Sequence, residues 1–343
     1  MPAAGADAVS TSRRAPTLTR SSPSRPLAAL AVAVALAVAT TAAAAEPLAL
    51  TTRRVPLNPE VPEAVQVGAL VYRGGLVLRS THPRFGGLSG LTVAADGRLI
   101  AVSDRGVWIG FRPVVASGRL VGVAEATIDP ILDGNGLALA GRATDAEAVI
   151  ALRHATFVAF EQDHRLWRYP AAPGHVGGIA KATMPIPERR ALAANGGFEA
   201  TTALGGGRIL MVAEEPAADG GDHPGWIVAG DRAFALSYAP TGLFKPTEFA
   251  RLKNGDVLAL ERRFTALGGF AARVQRIARA AIKPGARLVG RELARIEPPL
   301  IVDNYEAMAA QPAPEGGHHI FIASDDNFRS LQHTVLLLFH LPD

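Results

Sequence analysis

The chain has 343 residues, 48% hydrophobic and 19% charged, which suffices for one large domain or two ordinary ones with a sizeable core. It contains no cysteine, so disulfides, thiolate metal sites, thiol catalysis and a lipoprotein anchor are excluded. The formal net charge is +4, but four arginines and one aspartate fall in the first 45 residues. The remainder holds 31 basic against 30 acidic side chains, which gives no ground for a nucleic-acid partner.

The N-terminal segment reads as a targeting signal. Arg13, Arg14, Arg20 and Arg25 precede a run of 13 apolar residues from Leu27 to Ala39, with small residues at Ala43 and Ala45. The run is shorter than the roughly 20 residues of a membrane span. The pattern predicts a secretory signal peptide over 1–45, a periplasmic or secreted product, and no stable membrane anchor after cleavage. An uncleaved anchor is the alternative. The stretch TSRRAPTL resembles a twin-arginine signal, although Pro16 stands where a bulky apolar residue is usual, so both export routes stay open. Residues 46–63 read as a leader segment and 64–343 as one domain.

Five segments of that domain can be superimposed, starting near Phe85, Thr144, Asn195, Lys245 and Asp303. Each opens on a polar marker (Ser89, Glu147, Glu199, Glu248, Glu306) at intervals of 58, 52, 49 and 58 residues. A short apolar strand, a turn and a second strand follow: RLIAVS, TFVAFE, RILMVAE, DVLALE and IFIAS. Repeats of this length with several short strands each are the pattern of β-propeller blades. The Asp-Gly and Asn-Gly pairs suit hairpin turns that need positive φ, and no helical period interrupts the strands. An all-β propeller of five four-stranded blades is predicted, or six if a blade without the marker fills a 58-residue interval. The segment Ala64–Ser80 has no marker and is expected to supply a strand to the last blade, closing the ring and removing free sheet edges.

In a propeller the first strand of every blade lines the central channel. Glu147, Glu199, Glu248 and Glu306, with Ser89 in the fifth place, are therefore expected to converge on one mouth. Asp104, Glu161, Glu214, Glu261 and Asp325 end the neighbouring strands and are expected to lie just behind them. Carboxylates this close raise one another's pKa and need a counter-charge. A calcium ion with six to eight oxygen ligands would supply it, as would arginines such as Arg105 and Arg262, which could also hold a phosphate or carboxylate. The bland reading is that the acids brace the blades through backbone amides. Asp325 is expected to face the channel, with Asp326 and Asn327 capping the turn or reaching to the ion.

Other features carry less. GGLSGL is not a nucleophile elbow, because Leu91 stands two residues after Ser89 where that motif needs glycine. His318 and His319 read as a hairpin turn, with metal binding as the alternative. His154 reads as a turn residue, His223 as a surface-loop residue, and Trp108 and Trp167 as core.

Taken together, GGLSGL…DGRLIAVSDRG, NGGFEA…ILMVAEE, PTEFARLKNGDVLALERRF and DNYEAMA…IFIASDDNFRSLQHTVLLLF resemble the phytase-like family, described as esterase-like activity of phytase. The resemblance runs from about Phe85 to Leu341. It implies an exported bacterial β-propeller that hydrolyses phosphate or other esters. By position it implies motif residues Ser89, Asp104, Arg105, Glu147, Glu199, Glu248, Glu261, Arg262, Asp303, Asn304, Glu306, Asp325, Asp326, Asn327 and Gln332. The family commonly has glycine after the marker glutamate, where this chain has Ala148, Ala200 and Ala307. The expected activity is a calcium-dependent hydrolase acting on a small-molecule ester or phosphate ester as a monomer. Asp104, Glu147, Glu199, Glu248, Glu306 and Asp325 would hold the ion, and the four glutamates are also the catalytic candidates. Arg105, Arg262 and Asn327 would take the substrate. The alternatives are a non-catalytic envelope scaffold with structural calcium, and a lactonase-like metal propeller.

Overall fold

The computed structural model describes residues 45–170, 177–184, 196–218 and 220–343. The expected signal peptide, but for Ala45, lies outside them. Four strands come first: β1 (Glu46–Pro47), β2 (Thr51–Val55), β3 (Gln66–Val67) and β4 (Leu70–Arg79). The first blade holds β5 (Leu88–Val93), β6 (Leu99–Ser103), β7 (Val107–Ala116) and β8 (Arg119–Pro130). The second holds β9 (Ala146–Leu152), β10 (Ala155–Phe160), β11 (Arg165–Pro170) and β12 (Ala182–Met184). The third holds β13 (Ala200–Gly205), β14 (Arg208–Val212), β15 (His223–Ala229) and β16 (Arg232–Tyr238). The fourth holds β17 (Lys245–Arg251), β18 (Val257–Thr265), β19 (Gly269–Ile277) and β21 (Arg291–Ile296), while β20 (Arg287–Leu288) pairs parallel with β16 of the third. The fifth holds β22 (Tyr305–Pro312), β23 (His318–Ser324) and β24 (Thr334–Leu341).

These sheets form a five-bladed β-propeller. Their innermost strands β5, β9, β13, β17 and β22 pack each against the next, and β22 returns to β5. The sheets contain five, four, five, four and six strands. In the last of them β24 pairs antiparallel with β4, and β4 with β2 and β3. Residues 46–63 are not a detached leader: β1 adds to the first blade beside β8, and β2 to the fifth.

The middle strands read as unbroken apolar runs because both of their faces are buried, and successive side chains serve opposite interfaces. On β6, Leu99 and Ala101 pack toward the fifth blade, while Ile100 and Val102 pack toward the second. On β14, Ile209 and Met211 face the second blade and Leu210 and Val212 the fourth. On β18, Val257 and Ala259 face the third blade and Leu258 and Leu260 the fifth. Each of the five interfaces thus has its own apolar cluster. Trp108 is 1% exposed and meets Tyr169 edge-on across the first interface, with centroids 5.2 Å apart.

Three histidines differ from expectation. His223 is not a loop residue: it opens β15, is 2% exposed, and its Nδ1 lies 3.2 Å from the Ala213 carbonyl oxygen. His318 and His319 open β23 rather than forming its turn, which falls at 313–317.

Candidate functional site at one mouth of the channel

The site is set by a bulge repeated from blade to blade. In the first blade Leu88 pairs with Ser103 and Gly90 with Val102, which leaves Ser89 as the extra residue. In the second Glu147 is left between Ala146 and Ala148, and in the fifth Glu306 between Tyr305 and Ala307. A bulge re-aims one side chain out of the alternating pattern, here at the start of the channel-lining strand. In the third blade Glu199 directly precedes the first ladder pair, Ala200 with Val212.

A second regularity fixes the acids behind the markers. The amides of Asp104, Glu161, Glu214 and Asp325 donate to the carbonyls of Gly87, Asp145, Gly197 and Asn304, at 3.2, 2.9, 3.0 and 2.9 Å. Each of these carbonyls belongs to the residue two before a marker. Ser89, Glu147, Glu199 and Glu306 are thereby placed with Asp104, Glu161, Glu214 and Asp325 at one mouth.

The fourth blade departs from the sequence alignment by one residue. Its ladder pairs Lys245 with Arg262, Pro246 with Glu261 and Glu248 with Leu260, so the bulged residue is Thr247. Thr247 holds the marker position and Arg262 the position of the acids. Glu248 and Glu261 each sit one step away. The Glu248 carboxylate accepts the amides of Leu91 at 3.2 Å and Phe249 at 3.1 Å, and it is 1% exposed. Glu261 is buried in the blade, where Tyr238 Oη at 2.8 Å, Gln275 Nε2 at 2.6 Å and Arg273 all donate to it. Their oxygens are taken by groups other than those of the acid ring.

Arg262 therefore stands among the carboxylates. Its Nη2 lies 3.0 Å from Glu214 Oε1 and 2.9 Å from Glu306 Oε1. Lys245 pairs with Glu215 and lies 3.9 Å from Glu214 Oε2. These two cations do not balance the acids. Burial, then Glu161, Asp145 and Glu306, push the Glu147 carboxyl well above the usual range. Burial, Glu214, Glu147 and Glu306 do the same to Glu199. Burial and the charge of Asp325 raise Asp104 to about 7. Burial raises Glu161 to about 7, against the opposing amide of Gly197, whose nitrogen lies 2.6 Å from Glu161 Oε1. Burial and Glu306 raise Asp325 to about 8.

One oxygen each from Asp145, Glu147 and Glu161 lies within 4.8 Å of the others. Asn304 is 3% exposed; its Nδ2 donates to Glu306 Oε1 at 2.9 Å while its Oδ1 is buried without a partner. An all-oxygen donor set with excess negative charge and a spare amide oxygen fits a hard divalent cation such as calcium. Asp145 was not singled out from sequence. Its standing two residues before a marker, as Asn304 does, is the feature that would have found it.

The remaining candidates lie around this cluster. The Arg105 guanidinium stacks 3.9 Å from the centroid of Phe328. Asp325 Oδ1 accepts the amide of Asn327 at 2.7 Å, and Asn327 is exposed with φ of 46°. Asp326 spans two blades: Oδ1 accepts the amides of Gly87 at 3.0 Å and Phe328 at 3.1 Å, and Oδ2 accepts Thr334 Oγ1 at 2.9 Å. Next to Glu248 the inner strands line a pocket of about 190 Å³ that includes Leu91, Val149, Thr201, Phe249 and Met308. Gly90 is needed here, since a Cβ on it would lie 2.7 Å from Ala148 Cα.

Among the described residues no helix is long and apolar enough to cross a membrane. No curated protein matches the chain. Among solved structures it is similar to the catalytic domain of a Coprinopsis cinerea GH62 α-L-arabinofuranosidase, with 13% identity, 83% of this chain and 98% of that one covered, and a TM-score of 0.47. It is also similar to the PQQ-bound aldose sugar dehydrogenase of Streptomyces coelicolor (12%, 86% and 99%, TM-score 0.43) and to Myxococcus xanthus glutaminyl cyclase (12%, 78% and 97%, TM-score 0.40). Residues 83–328 match the profile described as "Phytase-like: Esterase-like activity of phytase", which spans well over half of the sequence. The chain belongs to the phytase-like family.

Proposed function

We propose that this propeller is an exported, calcium-dependent hydrolase of phosphate esters, with its site at the acidic mouth of the channel. The observation that carries the reading is the register. The first, second, third and fifth blades present an acid at one position of the ring and the fourth presents Arg262 there, so cation and anion sites adjoin. Asp145, Glu147 and Glu161 would hold calcium, with Glu199, Glu306, Asp104, Asp325 and the free Oδ1 of Asn304 around them. Glu248 is left out of this set because backbone amides occupy its carboxylate. Bound calcium would neutralise these carboxylates and an incoming phosphate, and would make a water a better nucleophile.

The chain's own groups supply the rest. Arg262 Nε–H is buried and has no acceptor, which leaves a donor for a phosphate oxygen. Arg105, held against Phe328, presents a second guanidinium at the rim, next to exposed Asn327. Asp325, whose carboxyl burial and Glu306 push up to about 8, is the candidate to protonate the departing alcohol. A small-molecule phosphate ester fits this pairing of guanidinium and acid.

A second reading is an envelope scaffold in which the ion serves stability only. Glu248 and Asp326 favour it, because both spend a carboxylate on holding blades together. A panel of phosphate esters, carboxylic esters and lactones, assayed with calcium and with chelator, separates the readings. Calcium-dependent phosphate release supports the first. No turnover of any ester, with melting temperature alone responding to calcium, supports the second. Calcium-dependent lactone opening without phosphate release would make it lactonase-like.

A further inference from the structure

The fifth blade carries a second cluster of potential ligands at the opposite end of β23. His319 and His340 are cross-strand partners in the β23–β24 ladder, so their rings project from one face of the sheet. Both are buried, at 4% and 8% exposure, with ring centroids 6.3 Å apart. Glu315, in the turn before β23, leans over the pair: its Oε1 lies 3.2 Å from His319 Nε2 and 3.2 Å from His340 Nδ1. All three atoms lie within 4.8 Å of one another. β23 runs from His318 to Ser324, and at roughly 3.3 Å per residue this sets the cluster about 20 Å from the acid ring.

The turn that carries Glu315 is fixed in place. Gly317 has φ of 65°, and a Cβ there would lie 2.3 Å from the Leu341 carbonyl oxygen and 3.2 Å from His340 Nε2. Only glycine lets the turn lie this close to the end of β24. The Gly317 amide also donates to Asp343 Oδ2 at 3.0 Å, which ties the turn to the C-terminus.

We propose that Glu315, His319 and His340 form a binding site for a divalent transition-metal ion of the zinc class. Two imidazoles and one carboxylate are a borderline donor set that favours such ions over calcium. Ligands 2.0–2.1 Å from a tetrahedral ion stand about 3.3 Å from one another. Glu315 Oε1 stands 3.2 Å from both nitrogens, close to that spacing. Three protein ligands leave a fourth position for water. The ion would clamp the turn to both strands of the blade that closes the ring, a role that disulfides fill in other exported proteins and that this chain has no cysteine to fill.

The test is a titration of the full chain with cobalt(II), in millimolar calcium so that the acid ring is occupied by the harder ion. About one equivalent giving the intense visible bands of a four-coordinate nitrogen-oxygen site, displaced by zinc, is expected. Zinc should shift the imidazole proton signals of His319 and His340 and raise the melting temperature. Glu315→Gln, at an exposed turn residue, and His340→Gln should each weaken zinc at least about tenfold, while Glu147→Gln leaves it unchanged. A pale octahedral spectrum, or zinc affinity unaltered in both Glu315→Gln and His340→Gln, overturns the proposal. Should His340→Gln fail to fold, Glu315→Gln with the wild-type histidine signals decides it.

Discussion

Glu248 Oε2 accepts the amide of Leu91 at 3.2 Å, joining the inner strand of the fourth blade to that of the first. These strands are not neighbours in the ring, so the bond crosses the channel. Where the other blades carry Gly90, Ala148, Ala200 and Ala307, the fourth carries this glutamate. Glu248→Ala leaves the Leu91 and Phe249 amides without their acceptor, at about 1–3 kcal/mol per buried group. A lower melting temperature is expected, with the calcium midpoint unchanged. Glu248→Gln keeps an acceptor oxygen and should lose less. A large fall in calcium affinity in either variant would return Glu248 to the ion site.

Glu147 is expected to behave the opposite way. It is crowded by Glu161, Asp145 and Glu306. Glu147→Gln removes a repelling charge, so the chelated protein should melt higher than wild type while calcium binds at least about tenfold more weakly. Calorimetry with and without chelator checks both signs at once.

The pH dependence follows from the same crowding. Asp104 and Glu161 are raised to about 7 and Asp325 to about 8, from ordinary values of 3.8 for aspartate and 4.5 for glutamate. The folded chain thus binds more protons than the unfolded chain between about pH 4 and pH 8, and stability falls as pH rises through that window. In chelator, the protein should melt higher at pH 5 than at pH 8. Calcium should remove the difference, since it favours the ionised carboxylates. Equal melting temperatures in chelator at the two pH values would count against the shifts.

Arg262 holds the acid position of the fourth blade and pairs with Glu214 and Glu306. Arg262→Met should lower the melting temperature in chelator, because two carboxylates lose their partner. Calcium should bind more tightly to the more negative ring. Inorganic phosphate should lose its hold, read as a weaker inhibition constant or a smaller heat of binding.

Asp326 tests ring closure rather than chemistry. Asp326→Ala strips an acceptor from Gly87, Phe328 and Thr334 at the junction of the fifth and first blades. Faster amide exchange in β5 and β22 is expected, ahead of any change in the other blades.

The fold was legible because every middle strand is buried on both faces, which writes a short apolar run into each repeat. Four of the five marker positions were legible too, because each marker is an acid or serine opening a strand. The fourth was misaligned because GluPhe after ProThr looks like the glutamate of its neighbours. Spacing to the far strand end points to the slip in only two of the other blades, since Glu147 to Glu161 is 14 residues and Glu306 to Asp325 is 19. Ser89 to Asp104 and Glu199 to Glu214 are each 15 residues, as is Thr247 to Arg262, while Glu248 to Glu261 is 13. The strap of β1 and β2 was illegible: two exposed residues of one strand and four of the five of the other, all but Val55, carry no apolar alternation and gain their place only by pairing. The imidazole pair was hidden as well, since His319 and His340 meet only once β23 and β24 are in register.

The one-residue offset of the fourth blade has a consequence for orientation. A ring of five like repeats would offer an incoming molecule five equivalent poses, each equally good and none selective. With Arg262 and Thr247 in one sector and acids in the other four, the rotational degeneracy is lifted. The mouth acquires a single compass bearing, along which a ligand with one anionic end and one cation-seeking end can settle in only one way.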